Sequence, residues 1–325
     1  MHSVHNFKLR SMTDTYLGID FGGTKLMVGE VDGNGNILAS RQYATGYCSQ
    51  RKAVNIMFDA IDDYLTTAVV NRDTIRAVGI GLIGRIDNKH GLWLQIDDDR
   101  NETIPLADLF SNRYGWPCFI DNDVKCATIA VSLWDIGQVT NNFLYINIGT
   151  GIGAGAVIDG KLVRGTSFDA GEVGFTISNV GLADGVCHET VENIAAGVGF
   201  DRCARLLRHR YPQTMLTIPD EGRVSVKEAI DKSRMGDDLC QLLVNNATES
   251  IATLINNIVF TFNPEAVVLG GGVVSDGFLL KRVIAMLSPK VSRFLTYGIT
   301  LTKLDPHCAG LLGAAATAIA NSKEK

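Results

Sequence analysis

The sequence lacks three features that would each assign it to a special class: a surplus of basic residues, a long apolar run and a paired cysteine framework. Lysine and arginine number 30 against 35 aspartate and glutamate, so the net charge of -5 gives no sign of a basic nucleic-acid surface. No apolar run approaches the roughly 18 residues that a membrane-spanning helix needs. We therefore expect neither a nucleic-acid partner nor a membrane partner.

The cysteines and the N-terminal segment both favour a cytoplasmic protein. The seven cysteines are odd in number and scattered through apolar contexts, which is typical of buried reduced thiols. The segment before Tyr16 is polar, so a signal peptide is not expected, and Met12 offers an alternative start. The cysteines are Cys48, Cys118, Cys126, Cys187, Cys203, Cys240 and Cys308.

The most informative stretch of the chain is residues 16–25, Tyr-Leu-Gly-Ile-Asp-Phe-Gly-Gly-Thr-Lys. A short apolar strand ends in Asp20 and is followed at once by Gly22-Gly23-Thr24-Lys25. Glycines after a strand let the backbone approach a ligand closely, and successive N–H groups there can bind an anion. A carboxylate at the strand end can orient the water around a magnesium ion. This stretch predicts a phosphate-binding site.

The second half of the chain repeats the order of elements seen in the first half. Asp20 precedes the Asp32-Gly33 turn by 12 residues (20 to 32), and Asn147 precedes the Asp159-Gly160 turn by 12 (147 to 159). In each half a strand, a glycine loop, a strand, a turn and a further strand follow one another. The length of 325 residues also exceeds one ordinary core, so two related domains are expected.

Apolar periodicity predicts the regular elements. Strands are predicted at 16–20, 26–31, 37–43, 77–80, 118–120, 143–148, 156–158, 161–164 and 266–269. Helices are predicted at 54–65, 124–133, 239–262 and 311–320. The third of these helices should end at Asn263-Pro264, because the residue before a proline is forced out of the helical region.

The glycine loop at 149–154 matches a loose dinucleotide-binding pattern, but its context argues against that interpretation. Such a loop must open a helix, whereas residues 155–160 have the pattern of a strand and a turn. A plain tight turn would explain any one glycine loop. Three glycine clusters, each after an apolar strand, indicate a shared ligand instead.

These clusters carry a resemblance to a known family. Residues 20–25 and 147–155 resemble the two phosphate loops of the sugar kinase, actin and heat-shock chaperone superfamily, and 268–272 resembles its adenosine loop. Within it the chain resembles the ROK family (repressors, open reading frames and kinases) from about Tyr16 to Ala320. Further matching stretches are 79–87, 121–123, 170–174 and 310–315. The resemblance implies an α/β actin-like ATPase (ribonuclease H-like) fold. Its two similar domains, 14–123 with 308–325 and 124–307, would flank a cleft.

The resemblance also implies site residues. Asp123 corresponds to the family's catalytic base, although an acid before a helix is otherwise an N-cap, the role expected here for Asp121. Four positions match sugar contacts, with a solvated loop acid as the alternative for each glutamate: Asn122, Glu172, Glu189 and Gly84. ATP would be held by Asp20, Gly22, Gly23, Thr24, Lys25, Gly149, Thr150, Gly151, Gly270, Gly271 and Gly272. A surface ion pair is the alternative role for Lys25.

The chain departs from the family pattern at the sugar end. Most members carry a structural zinc site, but Phe175 stands at its histidine position and apolar residues stand at two cysteine positions, Val180 and Leu182. Cys187 remains, and one thiol cannot hold a tetrahedral zinc, so no structural zinc is expected. Apolar packing of Phe175, Val180 and Leu182 is the expected replacement. Asp97 and Asn101 stand where the family usually has an asparagine and a tryptophan.

By resemblance, this is an ATP-dependent sugar kinase that uses Mg²⁺ and phosphorylates a hydroxyl, the 6-OH by expectation, of a hexose or hexose derivative. The family also implies a homodimer. Two alternatives remain: a non-catalytic sugar-binding regulator, since part of the family represses transcription, and a degenerate kinase that binds a metabolite without turnover. The first is disfavoured, because only 15 residues precede the first strand where repressors carry a winged helix.

Overall fold

The computed structural model describes residues 14–68, 71–178 and 189–322. Fourteen strands run in chain order: β1 Thr15–Phe21, β2 Lys25–Asp32, β3 Ile37–Ala44, β4 Ile75–Leu82, β5 Arg85–Asp87, β6 Leu92–Gln95, β7 Cys118–Asn122, β8 Phe143–Ile148, β9 Ile152–Ile158, β10 Lys161–Leu162, β11 Ile177–Ser178, β12 Glu189–Thr190, β13 Ala266–Gly270 and β14 Gly298–Leu301 in the described ranges. The helices of the same ranges are α1 Gln50–Thr67, α2 Leu106–Tyr114, α3 Asp123–Trp134, α4 Val191–Ala195, α5 Gly197–Leu207, α6 Val226–Arg234, α7 Asp238–Phe262, α8 Phe278–Met286 and α9 Ala309–Asn321.

The chain divides into two compact units, Met1–Trp134 with His307–Lys325, and Asp135–Pro306. The expected boundary after residue 123 falls just behind the first residue of α3, whereas the boundary between the compact units falls behind its last residue, Trp134. The cause is packing, because α3 lies against α9 within the first unit. At their crossing a Cβ on Gly313 would lie 2.7 Å from the Ala127 nitrogen, so glycine is what allows the two helices to approach.

The first unit is built on a five-stranded sheet of order β3-β2-β1-β4-β7. β1 pairs antiparallel with β2 and parallel with β4, and β4 pairs parallel with β7. The alanine-rich helix α9 covers this sheet closely, since a Cβ on Gly79 would lie only 1.9 Å from the Ala314 carbonyl oxygen. A separate core between the sheet and α1 contains Met57, Tyr64 and Trp93.

The second unit repeats this topology with a five-stranded sheet of order β10-β9-β8-β13-β14. β8 pairs antiparallel with β9 and parallel with β13, which pairs parallel with β14. The predicted internal repeat is therefore confirmed at the level of strand order. The core of this unit lies mainly between the sheet and α7, with Leu243, Ile251 and Leu269 fully or nearly fully buried.

The predicted turns differ in detail. At Asp159-Gly160 both residues have positive φ, 50° and 74°, as a tight two-residue hairpin requires. The predicted Asp32-Gly33 turn is longer: Asp32 Oδ1 accepts the N–H groups of Asn34 and Asn36, and the positive φ falls on Gly35 at 86°. An aspartate that bonds the backbone ahead of it makes this wider turn stable.

All thirteen predicted strands and helices exist, and β8 has the predicted bounds while the others have shifted ends. The strand predicted at 156–158 begins earlier, at Ile152, because the run Ile152-Gly153-Ala154-Gly155 pairs with β8 despite its glycines. The strand predicted at 161–164 is only Lys161–Leu162. The elements missed include α8, which is only nine residues long, and β14, half-buried at a sheet edge. Of the helices described, none is both long and apolar enough for a membrane span.

Candidate functional site

Polar residues of the first unit gather where its parallel strands end. In register across β1, β4 and β7, Asp20 stands beside Gly81, and Gly81 beside Asp121. The next register row ends with Asn122, and Asp123 follows as the first residue of α3. Because the three strands run parallel, their carboxyl ends meet at one edge of the sheet. This edge brings together Asp20, Asn122 and Asp123, as the sequence predicted from separate motifs.

The Asp20 carboxylate is buried at the end of β1, against the start of α9. Burial raises the pKa of Asp20 from 3.8 to about 6, and the nearby Lys25 ammonium partly offsets this rise. The start of α9 lies against the carboxylate, since a Cβ on Gly310 would come within 2.1 Å of Asp20 Oδ2. A helix N-terminus favours a negative charge, so this contact suits the ionised form. Only glycine at position 310 leaves room for it.

The first glycine loop is tied at its two ends and open in its middle. The Gly22 N–H donates to the Lys25 carbonyl over 2.9 Å, and the Thr45 hydroxyl donates to the Gly22 carbonyl over 3.1 Å. Gly23 and Thr24 are exposed, and nothing lies within 4 Å of a Cβ placed on Gly23. A fixed loop with open space over its backbone is the arrangement that a phosphate group can enter.

Asp123 has the properties of a proton acceptor. Burial raises its pKa from 3.8 to about 6, and the negative charge of Asp20 raises it further. Its Oδ1 accepts the Val124 N–H at 2.9 Å. Oδ2 takes part in no hydrogen bond with any residue of the described ranges. A carboxylate with one oxygen fixed and one free, titrating near neutrality, fits a general base.

Asn122, and not Asp121, caps helix α3. Asn122 Oδ1 accepts the N–H groups of Val124 and Lys125, at 3.0 and 3.4 Å, and its Nδ2 donates to the Gly84 carbonyl at 3.2 Å. The predicted capping role of Asp121 is therefore wrong: its Oδ1 accepts the Asn122 N–H instead. Asn122 keeps one amide hydrogen for a ligand. At Gly84 a side chain is excluded, because φ is 90° and a Cβ would lie 2.1 Å from a backbone oxygen.

In the second unit, helix α5 fixes the loop of residues 149–151. The N–H of Gly197 donates to the Gly149 carbonyl at 2.9 Å, and the N–H of Val198 donates to the Thr150 carbonyl at 3.1 Å. Within the loop the Gly149 N–H donates to the Gly151 carbonyl. The first amides of a helix have no partner inside the helix, so they are free to hold these carbonyls. Thr150 stays exposed at the loop tip.

Glu192, which no sequence motif indicated, contacts the same loop. Its Oε2 accepts the Ile152 N–H at 2.8 Å and would lie 2.6 Å from a Cβ on Gly151 and 3.2 Å from one on Gly174. Glu192 therefore stands between the second glycine loop and the segment that follows Glu172. Thr190 caps α4 by accepting the Asn193 N–H, which sets Glu192 in its first turn. The cap was visible in the sequence, but the contact with Ile152, 40 positions away, was not.

The third glycine cluster lies beside the second loop on the same sheet edge. Gly270 stands in register with Asn147, so the loops after β13 and β8 begin side by side. Gly271 has φ 93°, and a Cβ there would lie 2.3 Å from the Ile148 carbonyl oxygen. Gly272 is exposed with open space around it. Two glycine loops therefore begin at one edge of the second sheet, and their nucleotide-binding role stays a prediction.

The two glutamates predicted to bind sugar differ in exposure. Glu172 is exposed at the start of the 3-10 turn Val173–Phe175. Glu189 is 2% exposed and its Oε1 accepts from Arg202 Nη2 at 2.7 Å. Its burial and this ion pair give Glu189 a structural role, so the sugar-binding role predicted for it is not supported by its geometry. Glu192, which lies three residues further along, is less buried than Glu189.

The apolar segment predicted to replace the zinc site lies partly outside the described residues. Phe175 is 66% exposed, so its expected apolar packing is wrong. Val180, Leu182, Cys187 and His188 lie outside the described residues, and the predicted absence of zinc stays a prediction. Metal analysis of protein purified without chelator tests it, and one zinc per chain would contradict it. Groups of acidic, histidine or cysteine side chains fit to hold a metal do not occur in the three described ranges.

The two other departures at the sugar end have local partners. Asp97 forms an ion pair with Arg100, and this pair lowers the pKa of the Asp97 carboxyl. Asn101 donates through Nδ2 to the Asp98 carbonyl at 3.0 Å. Their side chains stabilise the turn of residues 97–101 in the first unit.

Comparison with known proteins identifies the fold and the family of this chain. A ROK family glucokinase from Streptomyces griseus, solved with glucose and AMPPNP, aligns with a TM-score of 0.74 and 26% identity over 94% of this chain and 99% of that one. The chain therefore has the actin-like ATPase fold, consistent with the repeated sheets of its two units. The ROK family model matches residues 16–321, and the protein belongs to this family.

The relatives include both enzymes and regulators. A glucokinase from Halalkalibacterium halodurans is 26% identical over 92% of this chain and 93% of the relative. A xylose repressor from Caldicellulosiruptor bescii is 25% identical over 84% of this chain and 69% of the relative. Membership of the family therefore leaves two functional classes to be distinguished by the site.

Proposed function

We propose that this protein is an ATP-dependent sugar kinase with Asp123 as its catalytic base. The observation that carries the proposal is the environment of Asp123. Its pKa of about 6 and its free Oδ2 would allow the carboxylate to take a proton near neutral pH. A sugar regulator needs hydroxyl acceptors but has no need of a carboxylate poised to take a proton. The glucokinase relative supports the same choice.

Asp123 would act on the acceptor hydroxyl, expected to be the 6-OH of a hexose or hexose derivative. As the hydroxyl oxygen forms its bond to phosphorus, its proton passes to Asp123 Oδ2. The bond from Oδ1 to the Val124 N–H keeps the carboxylate in one orientation during this transfer. General-base assistance of this kind contributes roughly 10²–10⁴-fold to the rate.

The nucleotide would be held by the glycine loops. The open backbone over Gly23 and over Gly272 fits phosphate or adenosine approach. Asp20 fits a divalent cation, because burial disfavours its negative charge and a bound cation would stabilise the ionised carboxylate. Bound Mg·ATP supplies the phosphoryl group and the positive charge that neutralises it. Asp20, Thr24, Lys25 and Thr150 would orient it.

The candidate sugar-binding groups are the carboxylates of Glu172 and Glu192 and the amide of Asn122. Glu172 and Glu192 each offer carboxylate oxygens that can accept hydrogen bonds from adjacent hydroxyls. Asn122 can add one donor through its remaining amide hydrogen, while Gly84 supports Asn122 through its carbonyl. The proposal also includes a cytoplasmic location, on the strength of the cysteine pattern and the polar N-terminal segment, and a homodimer, on the strength of the family resemblance.

The test is ADP release over a panel of sugars by wild-type protein and the Asp123→Asn variant. The wild type should release ADP with at least one hexose or hexose derivative. The variant should lose about 10²-fold or more of this rate while binding ATP nearly as before. Asp99→Asn, an exposed acid of the same unit, is the matched control. Near-normal turnover by Asp123→Asn would refute the role of Asp123.

A non-catalytic sugar regulator is the second candidate, supported by the xylose repressor among the relatives. The same panel separates the two. Saturable sugar binding without ADP release from any sugar would favour the regulator and overturn the kinase proposal.

A further inference from the structure

A cavity of the second unit is lined by the last turn of α5 and by residues of the segment 208–216 that follows it. Its volume is about 460 Å³, within the range of roughly 300–1,000 Å³ that is typical of small-molecule sites. Within the described part of the chain no acidic residue lines this cavity, and three of its lining residues are basic: Arg205, Arg208 and His209. We call it the basic cavity, and its charge indicates an anion as the ligand.

Hydrogen bonds fix the wall of the basic cavity. The Thr214 hydroxyl and the Met215 N–H donate to the Asp237 carboxylate, at 3.0 and 2.6 Å. Asp237 is itself the N-cap of α7, so the lining segment is tied to that helix. The Tyr211 N–H donates to the Arg208 carbonyl at 3.0 Å, which ties the same segment to the end of α5. A ligand would therefore meet a wall that already has its bound conformation, which lowers the cost of binding.

The two arginines of the basic cavity differ in their partners. Arg205 Nε donates to both carboxylate oxygens of Asp201, at 3.0 and 3.1 Å, and its Nη2 donates to the Gly222 carbonyl at 3.0 Å. The Arg208 guanidinium and the Tyr211 hydroxyl have no hydrogen bond or ion pair with any residue of ranges 14–68, 71–178 and 189–322. Arg208 thus brings a full set of N–H donors to the cavity.

Stabilisation of α5 alone does not account for this arrangement. A cation near the C-terminus of a helix is favoured by the helix dipole, so one arginine there would need no ligand. Arg205 and Arg208, however, stand three residues apart on one face of the helix, where like charges repel each other. An anion bound between them in the cavity would remove this repulsion.

The remaining lining residues define the rest of the ligand. Tyr211, Pro212 and Leu216 give the cavity an apolar wall, which suits a short carbon skeleton. A guanidinium group binds phosphate or carboxylate oxygens through two parallel hydrogen bonds. A phosphate ester offers three acceptor oxygens and close to two negative charges at neutral pH, so it can engage two guanidinium groups at once.

We propose that the basic cavity binds a small phosphate monoester, with the phosphate group on Arg205 and Arg208 and the carbon skeleton against Tyr211 and Leu216. This site is additional to the glycine loops. Gly197, which contacts the second glycine loop, and Arg208 are 11 residues apart (197 to 208) on α5, a distance of about 16 Å along the helix. The proposal does not rest on the proposed kinase activity.

The test is calorimetric binding of glycerol 3-phosphate in the presence of saturating ADP, so that the proposed nucleotide site is occupied. Wild-type protein should bind one glycerol 3-phosphate per chain. Glycerol, which lacks the phosphate, should not bind, and malate, which carries two carboxylates, should bind at least about 10-fold more weakly. Arg208→Met should lower the affinity for glycerol 3-phosphate by about 10-fold or more, because it removes charged hydrogen bonds to the phosphate.

The matched control is Arg210→Met, which removes an equal charge from an exposed arginine two residues away that does not line the cavity. This variant should bind glycerol 3-phosphate within about 2-fold of the wild type. No binding by the wild type would overturn the proposal. Equal losses in Arg208→Met and Arg210→Met would also overturn it, since they would indicate a general effect of surface charge. Malate binding as tight as that of glycerol 3-phosphate would overturn the assignment to a phosphate ester.

Discussion

At the scale of the residue, burial of the Asp20 and Asp123 carboxylates makes folding less favourable and gives the candidate site two carboxyls with raised pKa values. Both carboxyls have pKa values raised from 3.8 to about 6 by burial, and the charge of Asp20 adds to the rise at Asp123. Between pH 3.8 and about pH 6 the folded protein keeps protons on these carboxyls, whereas the unfolded chain has released them. The raised pKa therefore makes folding less favourable as the pH rises from about 4 to 6, and the full cost persists above pH 6.

The first prediction concerns stability. Asp123→Asn should raise the free energy of unfolding at pH 8 by about 1–3 kcal/mol, because a shift of about 2 pKa units corresponds to roughly 3 kcal/mol at most. At pH 4 the gain should be much smaller, since the native carboxyl is protonated there. Urea denaturation of the ligand-free protein at both pH values measures this. Asp99→Asn should change neither value appreciably, and a loss of stability at pH 8 in Asp123→Asn would contradict the argument.

The second prediction concerns the pH dependence of turnover. Because Asp123 must be ionised to accept a proton, kcat/KM for the sugar should fall below an apparent pKa of about 6. Asp20 and Asp123 interact, so the value belongs to the pair. A pH–rate profile between pH 5 and 9, with structure monitored by circular dichroism, provides the measurement. If kcat/KM stays constant down to pH 5, the group that accepts the proton is a carboxyl with an ordinary pKa or is not a carboxyl.

At the scale of the element, helices α4 and α5 jointly hold the second glycine loop. α5 donates two N–H groups to the loop carbonyls, and α4 supplies Glu192 to the Ile152 N–H. The two helices are joined a second time through the ion pair between Glu189, just before α4, and Arg202 on α5. The ladder of β11 with β12 extends this support to Ile177 and Ser178.

The third prediction tests this ion pair. Arg202→Met leaves the buried Glu189 carboxylate without its cation, so the protein should lose about 2–3 kcal/mol, below the roughly 3–5 kcal/mol seen for fully buried pairs because Arg202 is 39% exposed. The double variant Glu189→Gln with Arg202→Met should recover most of the loss. Urea denaturation measures it, and Arg205→Met, on the exposed side of the same helix, is the control. Equal losses in the single and double variants would contradict a charge-based role.

At the scale of the whole molecule, the two units share one strand order but differ in how the chain completes them. The second unit is one continuous segment, Asp135–Pro306, with its own core. The first unit needs the C-terminal helix α9, whose Leu311 and Ala314 lie against Gly18 and Gly79 of the sheet. Removing that helix would expose the whole face that it covers.

The fourth prediction follows from this arrangement. Deletion of residues 307–325 should abolish protection of β1 and β4 in hydrogen exchange, while β8 and β13 keep theirs. The physical reason is that burial under α9 stabilises only the first sheet. Exchange mass spectrometry of the full and the shortened chain measures this, and equal loss of protection in both sheets would show that the units unfold as one.

Much of this molecule could be predicted from local patterns. Strands such as β1 and β8 were visible because consecutive apolar residues end in a glycine loop, and α7 was visible from its 3.6-residue period. The shorter elements were not, since α8 and β14 are held by packing against the second core and not by a strong pattern of their own. Among the site residues, Asp20 and Asp123 come together because parallel strands share an edge, which the motifs implied.

The sequence by itself determined the three glycine loops, the acid after the first strand, the repeated order of elements and the phenylalanine in place of a histidine. These depend on backbone sterics and periodicity, which neighbouring residues decide. The tertiary structure alone decided that Glu189 is paired while Glu192 faces the loop, that Asn122 caps α3, that Phe175 is exposed and that α3 belongs with α9. Each of these depends on contacts between residues distant in the chain, where burial and the available partners determine what a side chain can do.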